Sequence, residues 1–105
     1  MYEDLNPVKK IIDELFEDDF MGEGRIPVKD VNLYVKLSSI LKYKNGEIPK
    51  EHKRPSTKKI KNTMEKSGYK QKSTTITKDG ERIRARCYLD IRTTPLLHSI
   101  LGDMP

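Results

Sequence analysis

The chain has 105 residues, of which 34% are hydrophobic and 35% are charged, and its formal net charge is +5. A chain of this length is expected to form one domain with a modest core. It contains no apolar run near the roughly 18 residues that a membrane span needs, and its one cysteine, Cys87, excludes an internal disulfide. We therefore expect a cytoplasmic protein that does not enter membranes.

The charges are distributed unevenly along the chain. Residues 1–24 carry eight acids and two lysines, a net charge of −6, whereas residues 25–92 carry nineteen bases and seven acids, a net charge of +12. A basic body predicts a polyanionic partner such as nucleic acid, and the plain alternative is that the charge serves solubility alone. We divide the chain into an acidic N-terminal linker helix (1–24), a basic body (25–92) and a short C-terminal helix or tail (93–105).

In the acidic segment, Asn6 and Pro7 form a helix start, and an apolar stripe at helical spacing predicts a helix over residues 7–17. The stripe consists of Val8, Ile11, Ile12, Leu15 and Phe16. A short strand over residues 25–28 follows, and Pro27 confines it to a sheet edge or a strand end.

Two further helices are predicted before the strand-rich part of the chain. The first covers residues 30–44, with Asp30 as its cap and Asn45-Gly46 as its end. Its predicted core stripe is Leu33, Tyr34, Leu37, Ile40 and Leu41. After a loop over 47–55 comes a lysine-rich helix that ends at Gly68. Ser56 or Thr57 caps this helix, and Ile60 and Met64 are its apolar anchors.

Asp79-Gly80 joins two strand-like runs, residues 69–78 and 81–92, and predicts a hairpin. Alternation puts Ile83, Ala85, Cys87, Leu89 and Ile91 on one face. It puts Arg82, Arg84, Arg86, Tyr88 and Arg92 on the other. A two-residue turn pairs Ile76 with Ile83 but turns Tyr69 to the polar face, so we expect either a bulge or a looser hairpin tip. Residues 96–101 form a last short helix after Pro95, which either packs on the body or is an exposed docking peptide.

This order of elements predicts an α+β fold, a winged helix-turn-helix with an extra N-terminal helix and a short C-terminal helix. The lysine-rich helix is then the recognition helix, and the hairpin is the wing. Residues 50–86 carry thirteen bases and four acids, a net charge of +9. Like charges on one helix repel each other mildly, and a facing row of phosphates turns that repulsion into attraction.

We predict that DNA is the ligand and favour duplex over single-stranded DNA, an alternative that the sequence leaves open. The predicted contacts of the helix, in or beside the major groove, are Thr57, Lys58, Lys59, Lys61, Asn62 and Lys66. The predicted backbone contacts of the hairpin are Lys72, Lys78, Arg82 and Arg84.

Other residue types receive simpler interpretations. Tyr34 and Tyr69 are expected in the core, Cys87 is expected to be a buried thiol, and Tyr88 is the best candidate for stacking on a base. The sequence has no phosphate-loop, metalloprotease or nucleophile-elbow motif and no Cys–His pair at meaningful spacing, so we expect no catalysis, no cofactor and no metal.

Three segments, LYVKLSSILKYKNGEIPK, STKKIKNTMEKSGYKQK and ERIRARCYLDIRT, resemble the C-terminal winged-helix domain of the superfamily 3 primase–helicases of poxviruses, phages and bacterial mobile elements. The matching pairs are Leu33-Tyr34, Asn45-Gly46, Gly68-Tyr69 and Asp90-Ile91. The helix that begins at Asn6-Pro7-Val8 resembles the linker helix after the ATPase core of that family. The chain departs from the family at Ser38-Ser39, where aromatic residues are common, and it contains neither the ATPase nor the primase part.

The resemblance implies a role in the replication of a phage, plasmid or genomic island, in which the domain helps a helicase or initiator to grip DNA. It also implies contact with the ATPase core of the same helicase, a monomer as an isolated domain and a hexamer in the full-length context. Two alternatives stay open. One is a stand-alone winged-helix transcription regulator that dimerises on a palindrome. The other is a protein-interaction module that docks on a replication factor through the acidic first helix and the Leu96–Leu101 tail.

Overall fold

The computed structural model describes residues 7–102, apart from the side chain of Leu101, so the predicted helix cap Asn6 lies outside the described residues. This part of the chain forms an α+β fold of four α-helices and two small antiparallel sheets. The helices are α1 (Pro7–Leu15), α2 (Val28–Lys44), α3 (Thr57–Lys66) and α4 (Pro95–Gly102), with a 3-10 turn at Lys50–His52. The strands are β1 (Phe16–Asp18), β2 (Arg25–Pro27), β3 (Gln71–Lys78), β4 (Glu81–Leu89) and β5 (Ile91–Thr93).

The apolar stripe of α1 forms the centre of the core, as its spacing predicts. Val8, Ile11, Ile12 and Leu15 are all buried. The helix ends two residues earlier than predicted, because Phe16 begins β1, which pairs antiparallel with β5 at the other end of the chain. Phe16 stays buried in this extended conformation. The pairing is a long-range interaction that a local helical pattern does not reveal.

The predicted core stripe of α2 is wrong in its main members, although Tyr34 is partly buried and packs against the core cluster. The helix starts at Val28, directly after Pro27, without a side-chain cap from Asp30. Its buried residues are Val31, Val35, Ser38 and Ser39. Leu33, by contrast, is half exposed. The buried face was not recognised in the sequence because two of its four residues are serines, which are polar. In the fold, the hydroxyl of Ser39 donates a hydrogen bond to the carbonyl of Val35 at 2.8 Å, which satisfies it inside the core.

Both ends of α3 carry strong local signals. The hydroxyl of Ser56 accepts a hydrogen bond from the backbone N–H of Lys59 at 3.1 Å, so Ser56 is the cap. At the other end Gly68 has a φ of +94°. The backbone N–H of Gly68 donates to the carbonyl of Glu65, and that of Tyr69 donates to the carbonyl of Met64. This is the Schellman arrangement, which satisfies the last carbonyls of a helix.

The hairpin forms with the predicted turn but without the expected bulge. Asp79 and Gly80 have φ values of +54° and +82°, as a type I′ turn requires. Pairing continues without interruption from Lys78 opposite Glu81 to Gln71 opposite Tyr88. Tyr69 reaches the core because it lies before the first paired residue, so no bulge is needed to turn it inward.

The predicted second strand of the hairpin is divided at Asp90, which has a left-handed φ of +55°. β4 stays in the sheet of order β2-β4-β3, whereas β5 leaves it to pair with β1. The kink also changes the alternation. Ile91, which was predicted to share a face with Cys87, joins the core cluster together with Tyr88.

One hydrophobic cluster includes residues from all three segments predicted from the sequence. It contains Phe16 of the acidic segment, Ile60 and Tyr88 of the basic body, and Leu97 of α4. Ile100 packs against the same cluster. The C-terminal helix therefore packs on the body through Leu97 and Ile100, which leaves Leu96 as the exposed apolar side chain of its described part.

Candidate nucleic-acid interface

The buried side of α3 is the one that its sequence predicts. Ile60 and Met64 are completely buried, and Thr63 is 4% exposed. The six predicted DNA-contacting residues of the helix are all exposed: Thr57, Lys58, Lys59, Lys61, Asn62 and Lys66. Because the anchors occupy one side of a short helix, these polar side chains must lie on its outward side and its two flanks.

A shallow depression of about 290 Å³ lies along one flank of α3. Its lining includes Lys59, Asn62 and Lys66. At the N-terminus of the helix, the ammonium of Lys36 on α2 donates a hydrogen bond to the hydroxyl of Thr57 at 3.0 Å. Lys36 thus adds a positive charge to this end of α3, and the sequence did not single it out because it belongs to another helix.

The hairpin residues predicted to hold DNA do not all share one face. Partners in an antiparallel ladder point to the same side of the sheet. Lys72 lies opposite Cys87, and Lys78 lies opposite Glu81. Both lysines are therefore on the face of Cys87, whereas Arg82 and Arg84 are on the face of Tyr88. The predicted set of four is divided into two pairs.

The arginine face is the one that continues from the core towards α3. Its innermost residue, Tyr88, belongs to the hydrophobic cluster with Ile60 and Met64. Arg82, Arg84 and Arg86 follow outward along the strand, and all three are exposed. Arg86, the innermost of the three, lines a groove together with Lys61 of α3.

An open groove of about 500 Å³ lies where α3 meets the base of the hairpin. Its lining comprises Lys61, Glu65, Gly68, Tyr69, Lys70, Gln71 and Arg86. Sequence reasoning placed Arg86 on the arginine face but did not include it, Lys70 or Gln71 among the candidate contacts. The signal that identifies them is the register of the hairpin, which sets Gln71 opposite Tyr88.

The interpretation of Tyr88 as a stacking residue is wrong. The alternation places it correctly on the arginine face, but its side chain is completely buried. At the base of the hairpin both faces of β4 are covered, because Cys87 on one face and Tyr88 on the other are completely buried. Burial raises the pKa of the Tyr88 hydroxyl, and the hydrogen bond with Gln71 opposes this effect.

Tyr69 marks the acidic border of this surface. Burial, together with the charge of Asp18 and a hydrogen bond to it, raises the pKa of Tyr69 to about 12. Asp13 and Glu17 act in the same direction. These carboxylates repel a polyanion, so a nucleic-acid interface would not extend past Tyr69 on this side.

The stability of the protein is expected to fall as the pH rises from about 10 to about 12. An unfolded tyrosine releases its proton near pH 10, whereas folded Tyr69 retains it up to about pH 12, so deprotonation in this range favours the unfolded state. Urea unfolding at several alkaline pH values measures the effect. Tyr69→Phe should reduce this dependence of stability on pH. Equal slopes for wild type and Tyr69→Phe would contradict the assignment.

Within residues 7–102, no three His, Cys, Asp or Glu side chains come together in a group able to hold a metal ion. None of the helices in this range is long and apolar enough to cross a membrane.

Comparison of the chain with protein-family models, with curated proteins and with solved structures finds no match.

Proposed function

We propose that the chain is a winged-helix DNA-binding domain that grips duplex DNA through α3 and the β3–β4 hairpin. The observation that carries the proposal is the groove between α3 and the base of the hairpin. Lys61 of α3 and Arg86 of β4 are both exposed and line this groove together. Phosphates facing this groove would release their counterions on binding, which supplies affinity.

The arrangement of elements supports the winged-helix interpretation. α3 directly precedes the hairpin, as a recognition helix precedes its wing. β2 lies between α1 and α2 in the chain and joins the hairpin as the third strand, in the order β2-β4-β3. Ile60 and Met64 hold α3 on the core, so its polar side is free to enter a major groove.

The role in replication rests on the resemblance of the sequence to superfamily 3 primase–helicases. In this proposal the chain is the non-catalytic DNA-binding part of a mobile-element helicase or initiator, and it needs no cofactor. A stand-alone transcription regulator is the alternative within DNA binding. Sedimentation separates the two, since a regulator that reads a palindrome should be a dimer and an isolated helicase domain a monomer.

A salt titration tests the proposal. The affinity of the wild-type chain for labelled duplex should fall steeply with salt, with a log–log slope of about −4 to −7 if five to seven phosphates are neutralised. Single-stranded DNA of the same length should bind more weakly. A slope near zero, or no binding at low salt, would reject DNA binding by this surface.

A second candidate function, a protein-interaction module, is favoured by one specific turn. Phe20 is 91% exposed and Met21 is 78% exposed. The turn is held in place by Asp19, whose carboxylate accepts the backbone N–H of Met21 at 3.1 Å, and by the left-handed Gly22. Gly24 also contributes, because any side chain at this position would collide with the backbone carbonyl of Ile91.

This turn, rather than α1 or α4, is the surface that a protein partner would use. The apolar residues of α1 are buried, and so is Leu97 of α4. Asp18, Asp19 and Glu23 surround the exposed pair and would repel DNA. A photo-crosslinking residue at position 20 tests this function. The interaction function would be favoured over DNA binding by two results together. The chain would fail the salt titration, and it would cross-link to one purified replication protein in a way that Met21→Ser abolishes.

A further inference from the structure

We propose that the groove between α3 and the base of the hairpin is a binding site for one backbone phosphate, with Arg86 as its ligand and with Gln71 and Tyr88 as the residues that position Arg86. This inference rests on the proposed DNA-binding function and names a specific site within it. It adds a contact that the sequence-based set omitted and assigns a role to a buried tyrosine hydroxyl.

A continuous chain of hydrogen bonds connects Arg86 to the core. The Nε of Arg86 donates to Oε1 of Gln71 at 2.7 Å. The Nε2 of Gln71 donates to the hydroxyl of Tyr88 at 3.1 Å. The Tyr88 side chain is completely buried, so the inner end of this series of hydrogen bonds is fixed in the core. An exposed arginine is normally free to rotate, but here one edge of the guanidinium is held in place.

The rest of the Arg86 guanidinium remains for a ligand. A guanidinium has five N–H donors, and the bond to Gln71 uses the one on Nε. Among residues 7–102 its two terminal nitrogens make no hydrogen bond or ion pair, and Arg86 lines the open groove. Two parallel donors from such an arginine fit the oxygens of a phosphate.

The charge around the groove favours an anion. Lys61 on α3 and Lys70 before β3 line it together with Arg86, against the single acid Glu65. The excess of two positive charges suits one phosphodiester, which carries a single negative charge. Because Lys61 of α3 and Arg86 of the hairpin both line the groove, a DNA strand that contacts these two residues passes over it. The recognised chemistry is therefore one phosphodiester of a longer backbone.

The first test compares the wild type with Arg86→Gln on labelled duplexes of two unrelated sequences. Loss of one phosphate contact should weaken binding about 5- to 20-fold on both sequences and reduce the magnitude of the salt slope by about 1. Lys29→Gln is the matched control, because it removes one exposed charge from outside α3 and the hairpin. It should leave the affinity within about twofold and the slope nearly unchanged.

The second test addresses positioning with Tyr88→Phe, which removes the hydroxyl and retains the buried ring. Duplex affinity should fall about two- to fivefold in the wild-type background, without a change in the salt slope because no charge is lost. In the Arg86→Gln background the same substitution should have no further effect, since the residue that it positions is absent. Thermal unfolding of each variant verifies that the fold is retained.

The outcomes distinguish this inference from the proposed function. If the wild type does not bind duplex, the proposed function fails and the phosphate site fails with it. If the wild type binds but Arg86→Gln behaves like Lys29→Gln, DNA binding stands and the phosphate site is rejected. If Tyr88→Phe weakens binding equally in both backgrounds, its effect is structural, and the positioning role is rejected.

Discussion

Replacement of Lys58, Lys59 and Lys61 together by glutamate is expected to reduce duplex affinity by about 100-fold or more near 100 mM salt. The three ammonium groups are exposed on α3, and each phosphate that they neutralise contributes about 0.9 to the salt slope. The magnitude of the log–log salt slope should therefore fall by about 3, and the new carboxylates should also repel the DNA backbone. Fluorescence anisotropy at several salt concentrations measures both quantities.

A matched triple variant separates the role of this face from that of total charge. Lys10, Lys29 and Lys44 are exposed, and none of them lies on α3 or the hairpin. Their replacement by glutamate changes the net charge by the same amount. We expect this control variant to lower duplex affinity less than tenfold and to retain most of the salt slope of the wild type. If the two triple variants weaken binding equally, the attraction is diffuse, and α3 is not the interface.

Ile60→Ala is expected to lower the free energy of unfolding by about 2–5 kcal/mol. Ile60 is completely buried and, with Met64, anchors α3 to the core cluster. A domain of this size is stable by roughly 5–10 kcal/mol, so the variant should lose a large share of its stability. Urea unfolding monitored by circular dichroism provides the measurement.

Ile83→Ala is the corresponding control, because it removes the same atoms from a side chain that is 38% exposed on the hairpin. Its expected effect is below about 1 kcal/mol, mainly from the lost cross-strand contact with Ile76. Similar losses for the two variants would show that α3 is not anchored through Ile60, and the outward orientation of its lysines would then lose its basis.

Sequence reasoning succeeded where the deciding interactions are local. The cap at Ser56, the left-handed Gly68 and the apolar pair at i, i+4 specify α3 within a dozen residues. The Asp79-Gly80 turn sets the hairpin register in the same way, because few residue pairs adopt two successive positive φ values. These two elements hold every residue of the predicted interface.

Prediction from the sequence failed where a distant part of the chain decides which side chains are buried. The periodicity of α2 contains more than one apolar stripe, and the choice between them depends on what packs against the helix. Ser38 and Ser39 are buried in the core, whereas Leu33 is left half exposed. The stacking assignment of Tyr88 failed for the same reason, since alternation identifies the face of a strand but not what covers it.

By itself, the sequence of this protein determined the helix, the turn and the charge of the candidate interface, because caps, glycines and apolar spacing act over a few residues. The separation of Lys72 and Lys78 from the arginines follows from the register that this turn sets. Only the tertiary structure decided which face of the hairpin meets α3. It also decided that Asp90 redirects the strand and that Gln71 connects Arg86 to a buried tyrosine. These features arise from contacts between segments far apart in the chain, and their energies do not appear in any local pattern.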